Sequence, residues 1–138
     1  MNEAGGRRLG NRRIDYQLHP TADGTKGRTM GYTLKVGSTT EQTLAYGYDA
    51  TGRFNSLTAD GTAFAYAYTA NANLIGSITQ SSANWTQTRA YLSNRNLLDV
   101  IETKISTASK AKFDYAHDDL GRCTSVAKSA HPFSRYGN

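Results

Sequence analysis

Hydrophobic and polar positions alternate in three stretches of this chain: Leu44-x-Tyr46-x-Tyr48, Phe64-x-Tyr66-x-Tyr68 and Phe113-x-Tyr115-x-His117. A period of two with aromatic residues on one side predicts half-buried strands. Turn-forming residues follow each stretch. Asp49-x-x-Gly52 comes after the first and Asp118-x-x-Gly121 after the third. Asp opening a type I turn accepts bonds from backbone N–H groups ahead of it, and Gly at the fourth position takes a positive φ. Such a turn is a common hairpin connection, with the extra residue forming a bulge. Where Gly is missing, Asn71, Asn73, Asn94 and Asn96 stand nearby, Asn being the next residue to tolerate the left-handed region.

A second strand follows each turn. It has an apolar residue two places after the Gly position (Phe54, Leu74, Leu97, Cys123) and another three further on (Leu57, Val100, Val126). These offsets have opposite parity, so either a bulge separates them or both faces of the strand are partly covered. Polar stretches at 58–62, 79–88 and 102–112 read as returning turns between hairpins. The spacing of Leu97, Leu98 and Ile101 fits a helix, but alignment with the other post-turn segments predicts a strand. The expectation is about ten short antiparallel strands with little or no helix.

The pattern is a repeat. Tyr48-Asp49-x-x-Gly52-Arg53-Phe54-x-x-Leu57 matches His117-Asp118-x-x-Gly121-Arg122-Cys123-x-x-Val126 position for position, with Tyr115 standing where Tyr46 stands. Looser copies run from Tyr66-x-Tyr68 through Asn71 to Leu74 and Ile78, and from Tyr91 through Asn94 and Arg95 to Val100. The most eroded copy holds Asp23-Gly24-x-x-Gly27-Arg28-x-Met30 and reaches Tyr32. The turn positions Gly27, Gly52, Ala72, Arg95 and Gly121 are spaced by 25, 20, 23 and 26 residues. Five related units make an array.

Composition agrees. Nine Tyr, 13 Gly and two Pro favour strands and tight turns over a helical bundle. The formal net charge of +5 is concentrated at the start, where Arg7, Arg8, Arg12 and Arg13 stand against Glu3. Residues 1–20 therefore read as a basic, flexible segment ahead of the array at 21–138, a solvated end more than a nucleic-acid arm. One cysteine excludes an internal disulfide framework and a Cys-based zinc site. The first residues lack the hydrophobic region of a signal peptide, and no apolar stretch approaches membrane-spanning length.

Tyr46-x-Tyr48-Asp49-x-x-Gly52-Arg53, recurring at these intervals, resembles the YD repeat of Rhs-type proteins. That group includes bacterial polymorphic toxins, the cocoon subunits of toxin complexes and the teneurin shell. The resemblance covers roughly residues 21–138 and implies an all-β fold: successive antiparallel hairpins of an open, partial shell, here as a fragment or short array. It implies a non-catalytic structural segment that encloses or displays a toxin or adhesion domain. Its partners would be the remaining repeats of a larger shell or a toxin domain, without nucleic acid or membrane insertion. Its location would be secreted or at the cell surface, within a larger bacterial protein.

The same residues invite other chemistry. His117-Asp118-Asp119 suggests a metal or general-base site, but Asp118 occupies the turn slot of Asp49 and His117 a slot filled elsewhere by Tyr. His19 and His131 each precede a Pro with no ligand at metal spacing. Cys123 fills an apolar slot and is expected as a small core residue. No phosphate loop, nucleophile elbow or zinc motif appears. No catalytic, cofactor or metal residue is therefore assigned. The motif residues Tyr46, Tyr48, Asp49, Gly52, Arg53, Tyr66, Tyr68, Tyr91, Tyr115, Asp118, Gly121 and Arg122 are assigned to the repeat. Arg53 and Arg122 are expected to pair with an Asp of a neighbouring unit or to stack on Tyr. The alternative function is a glycan- or protein-binding β module using exposed Tyr and Arg. Open sheet edges would also allow self-association.

Overall fold

The computed structural model describes residues 3–19 and 27–129, with residues 3–9 followed through the backbone. It contains eleven strands and one short 3-10 turn, η1 (Ser81–Ala83). The strands are β1 (Glu3–Leu9), β2 (Arg12–Leu18), β3 (Thr29–Val36), β4 (Thr39–Tyr48), β5 (Phe54–Ala59) and β6 (Thr62–Tyr68). They continue as β7 (Ile75–Gln80), β8 (Trp85–Tyr91), β9 (Leu98–Ile105), β10 (Ala108–His117) and β11 (Cys123–Ser129). Strand follows strand in chain order, antiparallel within each of the two units described next. The protein is all-β, as the alternation predicts, and the segment around Leu98 and Ile101 is strand.

The chain divides into two compact units, Met1–Ala65 and Tyr66–Asn138. In the first, β1 to β5 form a meander, and the start of β6 pairs with β5 through Leu57 opposite Phe64. In the second, β7 to β11 form another. The segment expected to be a loose basic end is structured over residues 3–18. There β1 and β2 make a hairpin, and Tyr16 lies opposite Tyr32 on β3. The backbone of residues 12–18 has a neighbour on both sides to satisfy it, which a free arm would lack.

A bulge resolves the parity question. Tyr48 lies opposite Phe54, yet Gly47 lies opposite Ser56, so Asn55 is the extra residue. The same skip occurs at Met30 between β2 and β3, at Asp99 between β8 and β9, and at Thr124 between β10 and β11. With one residue bulged, Phe54 and Leu57 share a face, opposite Tyr48 and Tyr46 respectively. Two slots shift as a result. Leu98, not Leu97, lies opposite Tyr91, and Ile75 opens β7 one residue after Leu74. Accordingly Ile101, not Val100, takes the place of Leu57, since it lies opposite Arg89 two residues before Tyr91. The turns in these two copies are one residue longer.

The stretch 102–112, expected to be a returning turn, is mostly strand. Only Ser106 and Thr107 connect β9 to β10, with Ser106 at φ 53°. In the first unit a short turn at Asp60-Gly61 joins β5 to β6, and Thr43 N–H donates to the Asp60 carboxylate at 2.7 Å. Between β7 and β8, Gln80 caps η1 by accepting from Ala83 N–H at 2.5 Å.

Large side chains gather on one face of the strands and small ones on the other. Leu44, Tyr46 and Tyr48 are half-buried, whereas Ala45 is exposed; Phe64, Tyr66 and Tyr68 alternate with exposed Ala63, Ala65 and Ala67. Edge-to-face ring contacts run along the first unit: Tyr46 to Phe54 at 5.9 Å, Tyr48 to Phe54 at 6.2 Å and Tyr16 to Tyr32 at 6.4 Å. No hydrophobic side chain among the described residues is fully buried. The reason is architectural: a sheet face buries its side chains only against a second layer, and the described elements are strands and one short turn.

Candidate functional site

Within each unit the Asp, Gly and Arg of the motif lie in the longer turns. Asp49 opens its turn through Gly52 N–H donating to Asp49 O at 2.8 Å, and Asp49 N–H donates to Arg53 O at 2.8 Å. Gly52 takes φ 81°, the left-handed closing position that the sequence predicts. Residues 118–122 repeat this arrangement: Gly121 N–H donates to Asp118 O at 2.9 Å, Asp118 N–H to Arg122 O at 3.0 Å, and Gly121 has φ 83°.

The two carboxylates are committed inside their own turns. Asp49 Oδ1 accepts from Thr51 N–H at 2.9 Å, the Thr51 hydroxyl at 2.7 Å and Arg53 N–H at 2.9 Å; Oδ2 accepts from Arg53 Nε at 2.8 Å. Asp118 accepts from Arg122 N–H at 2.9 Å and Arg122 Nε at 2.7 Å. The arginines thus pair with the Asp four residues earlier in the same turn, correcting the expectation of a neighbouring unit. The geometry explains this, because the turn brings Asp and Arg side by side at no cost in loop closure.

These contacts hold the acids in their charged form. The Thr51 hydroxyl, then the Arg53 backbone and side chain, hold Asp49 well below the usual carboxylate range against the opposing effect of burial. Arg122, through its backbone N–H first and its side chain second, lowers Asp118 in the same way. A carboxylate held in its charged form by such donors is a poor proton acceptor. Among the described residues no group of three His, Cys, Asp or Glu is placed to hold a metal ion.

Tyrosine completes the arrangement. The Tyr48 hydroxyl donates to Thr29 O at 2.8 Å, and the Tyr91 hydroxyl donates to Ile75 O at 3.0 Å. Both acceptors are the first residue of a post-turn strand in the preceding repeat. The same clasp is therefore found in both units. His117 occupies the equivalent slot on β10, and its Nδ1 is buried without a hydrogen-bond partner. Tyr46 and Tyr115 line the same face one pair further along, opposite Leu57 and Val126. Tyr66 and Tyr68 lie half-buried on β6.

Two arginines outside the assigned motif also join successive repeats. Arg28 Nη1 donates to Gly52 O at 2.7 Å with its guanidinium 5.4 Å from the Tyr48 ring centroid, and Arg95 Nη2 donates to Asp119 O at 2.9 Å. Arg28 was legible as the eroded counterpart of Arg53, but its partner was not. Asp23 and Gly24, assigned to that copy, and His131 lie outside the described residues. His19 N–H donates to Arg28 O at 2.9 Å, the counterpart of the bond from Asp49 N–H to Arg53 O.

Cys123 is exposed, which corrects its expected place in the core. It does hold the Phe54 slot, opposite His117 as Phe54 is opposite Tyr48. Among the described residues β11 pairs with β10 alone. No family model matches the chain, and no curated protein matches it.

Proposed function

We propose that the chain is a non-catalytic structural segment of an Rhs-type YD-repeat β-shell that encloses or displays a toxin or adhesion domain. The observation that carries this reading is the tyrosine clasp, made from one slot of a repeat to one slot of the repeat before it. A motif hydroxyl spent on the neighbouring backbone is a fastener, and a series of fasteners propagates a sheet. The carboxylates of the motif are likewise spent on shaping turns. The partners are the remaining repeats of a larger shell or a toxin domain, and the setting is secreted or cell-surface. Sequencing the flanking DNA and imaging the full-length product by electron microscopy tests the proposal. Further Tyr-Asp repeats and a hollow particle are expected; flanks without repeats and a solid particle overturn it.

A second reading draws on tyrosine outside the motif, where Tyr16 is 39% exposed. It makes the chain a glycan- or cell-surface-protein-binding module. Specific glycan-array binding that disappears in a folded Tyr16→Ala variant favours this reading over the first.

A further inference from the structure

Charge is segregated between the two faces of the second unit. Its strands β7 to β11 carry three carboxylates, Asp99, Glu102 and Asp114. Glu102 lies opposite Lys112 with Lys104 Nζ 3.1 Å from its carboxylate, and Asp114 lies 2.7 Å from Lys112 Nζ. Asp114 first, then Glu102 and Asp99, hold the Lys112 ammonium above its ordinary pKa. Lys112 and Asp114 flank Phe113 along β10, so these pairs stand on the face of small side chains. The opposite face holds cations in a different setting. Arg89, Ile101, Phe113 and Lys128 lie opposite one another in a single row across β8, β9, β10 and β11. Gln87 Oε1 accepts one Arg89 N–H at 3.0 Å, and the Lys128 ammonium lies 5.9 Å from the Phe113 ring centroid. Among the described residues neither cation has a carboxylate partner. Ile101 and Phe113 between them are only half-buried. A further strand beside β11 would extend the sheet in its own plane without covering this face.

We propose that the row Arg89–Ile101–Phe113–Lys128 docks an extended acidic segment of another polypeptide, laid across the strands, with carboxylates at positions i and i+4 and an apolar residue at i+2. The spacing carries the choice. Three strand separations set Arg89 and Lys128 about 14 Å apart, and four residues of extended chain span about 13 Å. Alternate residues of such a chain face the same way, so the i+2 side chain meets Ile101 and Phe113 between two ion pairs. Arg89 offers a planar fork to one carboxylate and Lys128 a point charge to the other. A nucleic acid strand fits less well, because it carries a charge at every nucleotide. A strand reaching both cations would set a phosphate against Ile101 and Phe113. The row lies wholly in the second unit, and its chemistry is independent of the proposed shell.

The probe is a capped heptapeptide with glutamate at its second and sixth positions, phenylalanine at its fourth and threonine elsewhere. Titrated into the isotope-labelled whole chain, it should shift the amide signals of Arg89, Ile101, Phe113 and Lys128. Arg89→Gln and Lys128→Gln should each weaken binding about threefold, the scale of an exposed ion pair. A peptide of the same composition with its glutamates adjacent should bind at least about threefold more weakly than the probe. The double variant Arg89→Glu, Lys128→Glu should lose the probe and gain the peptide with lysine in place of both glutamates, a gain that also shows the variant folded. Equal affinity for the two glutamate peptides, or shifts confined to other residues, would overturn the proposal. So would a wild type that binds neither, or displacement of the probe by a tighter-binding oligothymidylate.

Discussion

The turns at 49–53 and 118–122 close the same kind of hairpin as those at 69–74 and 92–97, but by different chemistry. In the first pair an Asp opens the turn, Gly takes the positive φ at the fourth position, and Arg locks back onto the Asp. In the second pair Thr69 and Leu92 open the turn, and Asn71 and Asn94 take positive φ at the third position, 58° and 60°. The opening bond survives, with Ala72 N–H donating to Thr69 O at 3.3 Å and Arg95 N–H to Leu92 O at 3.1 Å. A left-handed third residue is the mark of a type II turn. It displaces the closing bond by one residue, to Leu74 O and Leu97 O, each accepting at 2.8 and 2.9 Å respectively. The hairpin therefore requires an opening bond, one left-handed residue and a closing bond; the ion pair is an addition.

Breaking the left-handed residue should have the largest effect. Gly52→Val forces a β-branched side chain to φ 81° and drives its Cβ against the Arg28 guanidinium, whose Cζ is 2.8 Å from that position. A loss of about 2–3 kcal/mol in urea unfolding is expected. Thr51→Val removes a hydroxyl bond to Asp49 but keeps the backbone geometry, and should cost clearly less. Comparable losses would remove the role assigned to Gly52.

The clasp comes next. Tyr48→Phe leaves the ring contact with Phe54 but removes the donor to Thr29 O, for an expected loss of about 1 kcal/mol, and Tyr91→Phe should behave alike. The converse sharpens the comparison between copies. His117→Tyr replaces a buried, partnerless Nδ1 with the hydroxyl its slot carries elsewhere, and a gain of about 1 kcal/mol in thermal unfolding is expected.

Acid separates the two turn chemistries more gently. Asp49 and Asp118 have folded values below the unfolded one, so their contribution is present above the unfolded value, about 4, and is lost as pH falls through the folded value. The wild type should lose stability progressively below about pH 4, and the Asp49→Asn, Asp118→Asn variant should lose less over the same range. Denaturation midpoints measured across that range check the slope. An unchanged slope would mean that the ion pairs do not couple to folding.

Much of the fold was legible because period-two alternation and turn residues are local signals. Leu44-x-Tyr46-x-Tyr48 located β4, and Asp49 and Gly52 located the turn that follows it. Parity even announced an irregularity, although only the register places it at Asn55. The arginine partners were not legible: Arg53 and Arg122 were matched to an Asp of a neighbouring unit or to a Tyr ring, and only the curvature of the turn brings the Asp four residues earlier within reach. Arg28 and Arg95 reach across 24 residues of sequence to a backbone carbonyl, for which no residue pattern exists. Exposure of Cys123 was hidden for another reason: its slot is apolar elsewhere, but burial depends on neighbouring side chains that the slot does not encode.

The smallest effects should come from the Asn turns, where sequence alone could not choose between neighbours. Asn94 has φ 60° and is exposed, while Asn96 is not among the residues with positive φ. Asn94→Gly supplies the same left-handed geometry without steric cost, so stability should stay within about 0.5 kcal/mol of wild type. Asn94→Val should cost about 1–2 kcal/mol and Asn96→Val much less, because only the first places a branched Cβ in the left-handed region. Equal costs at 94 and 96 would erase the distinction between the two turn types. The hairpins of residues 69–74 and 92–97 would then need a different explanation for their extra residue.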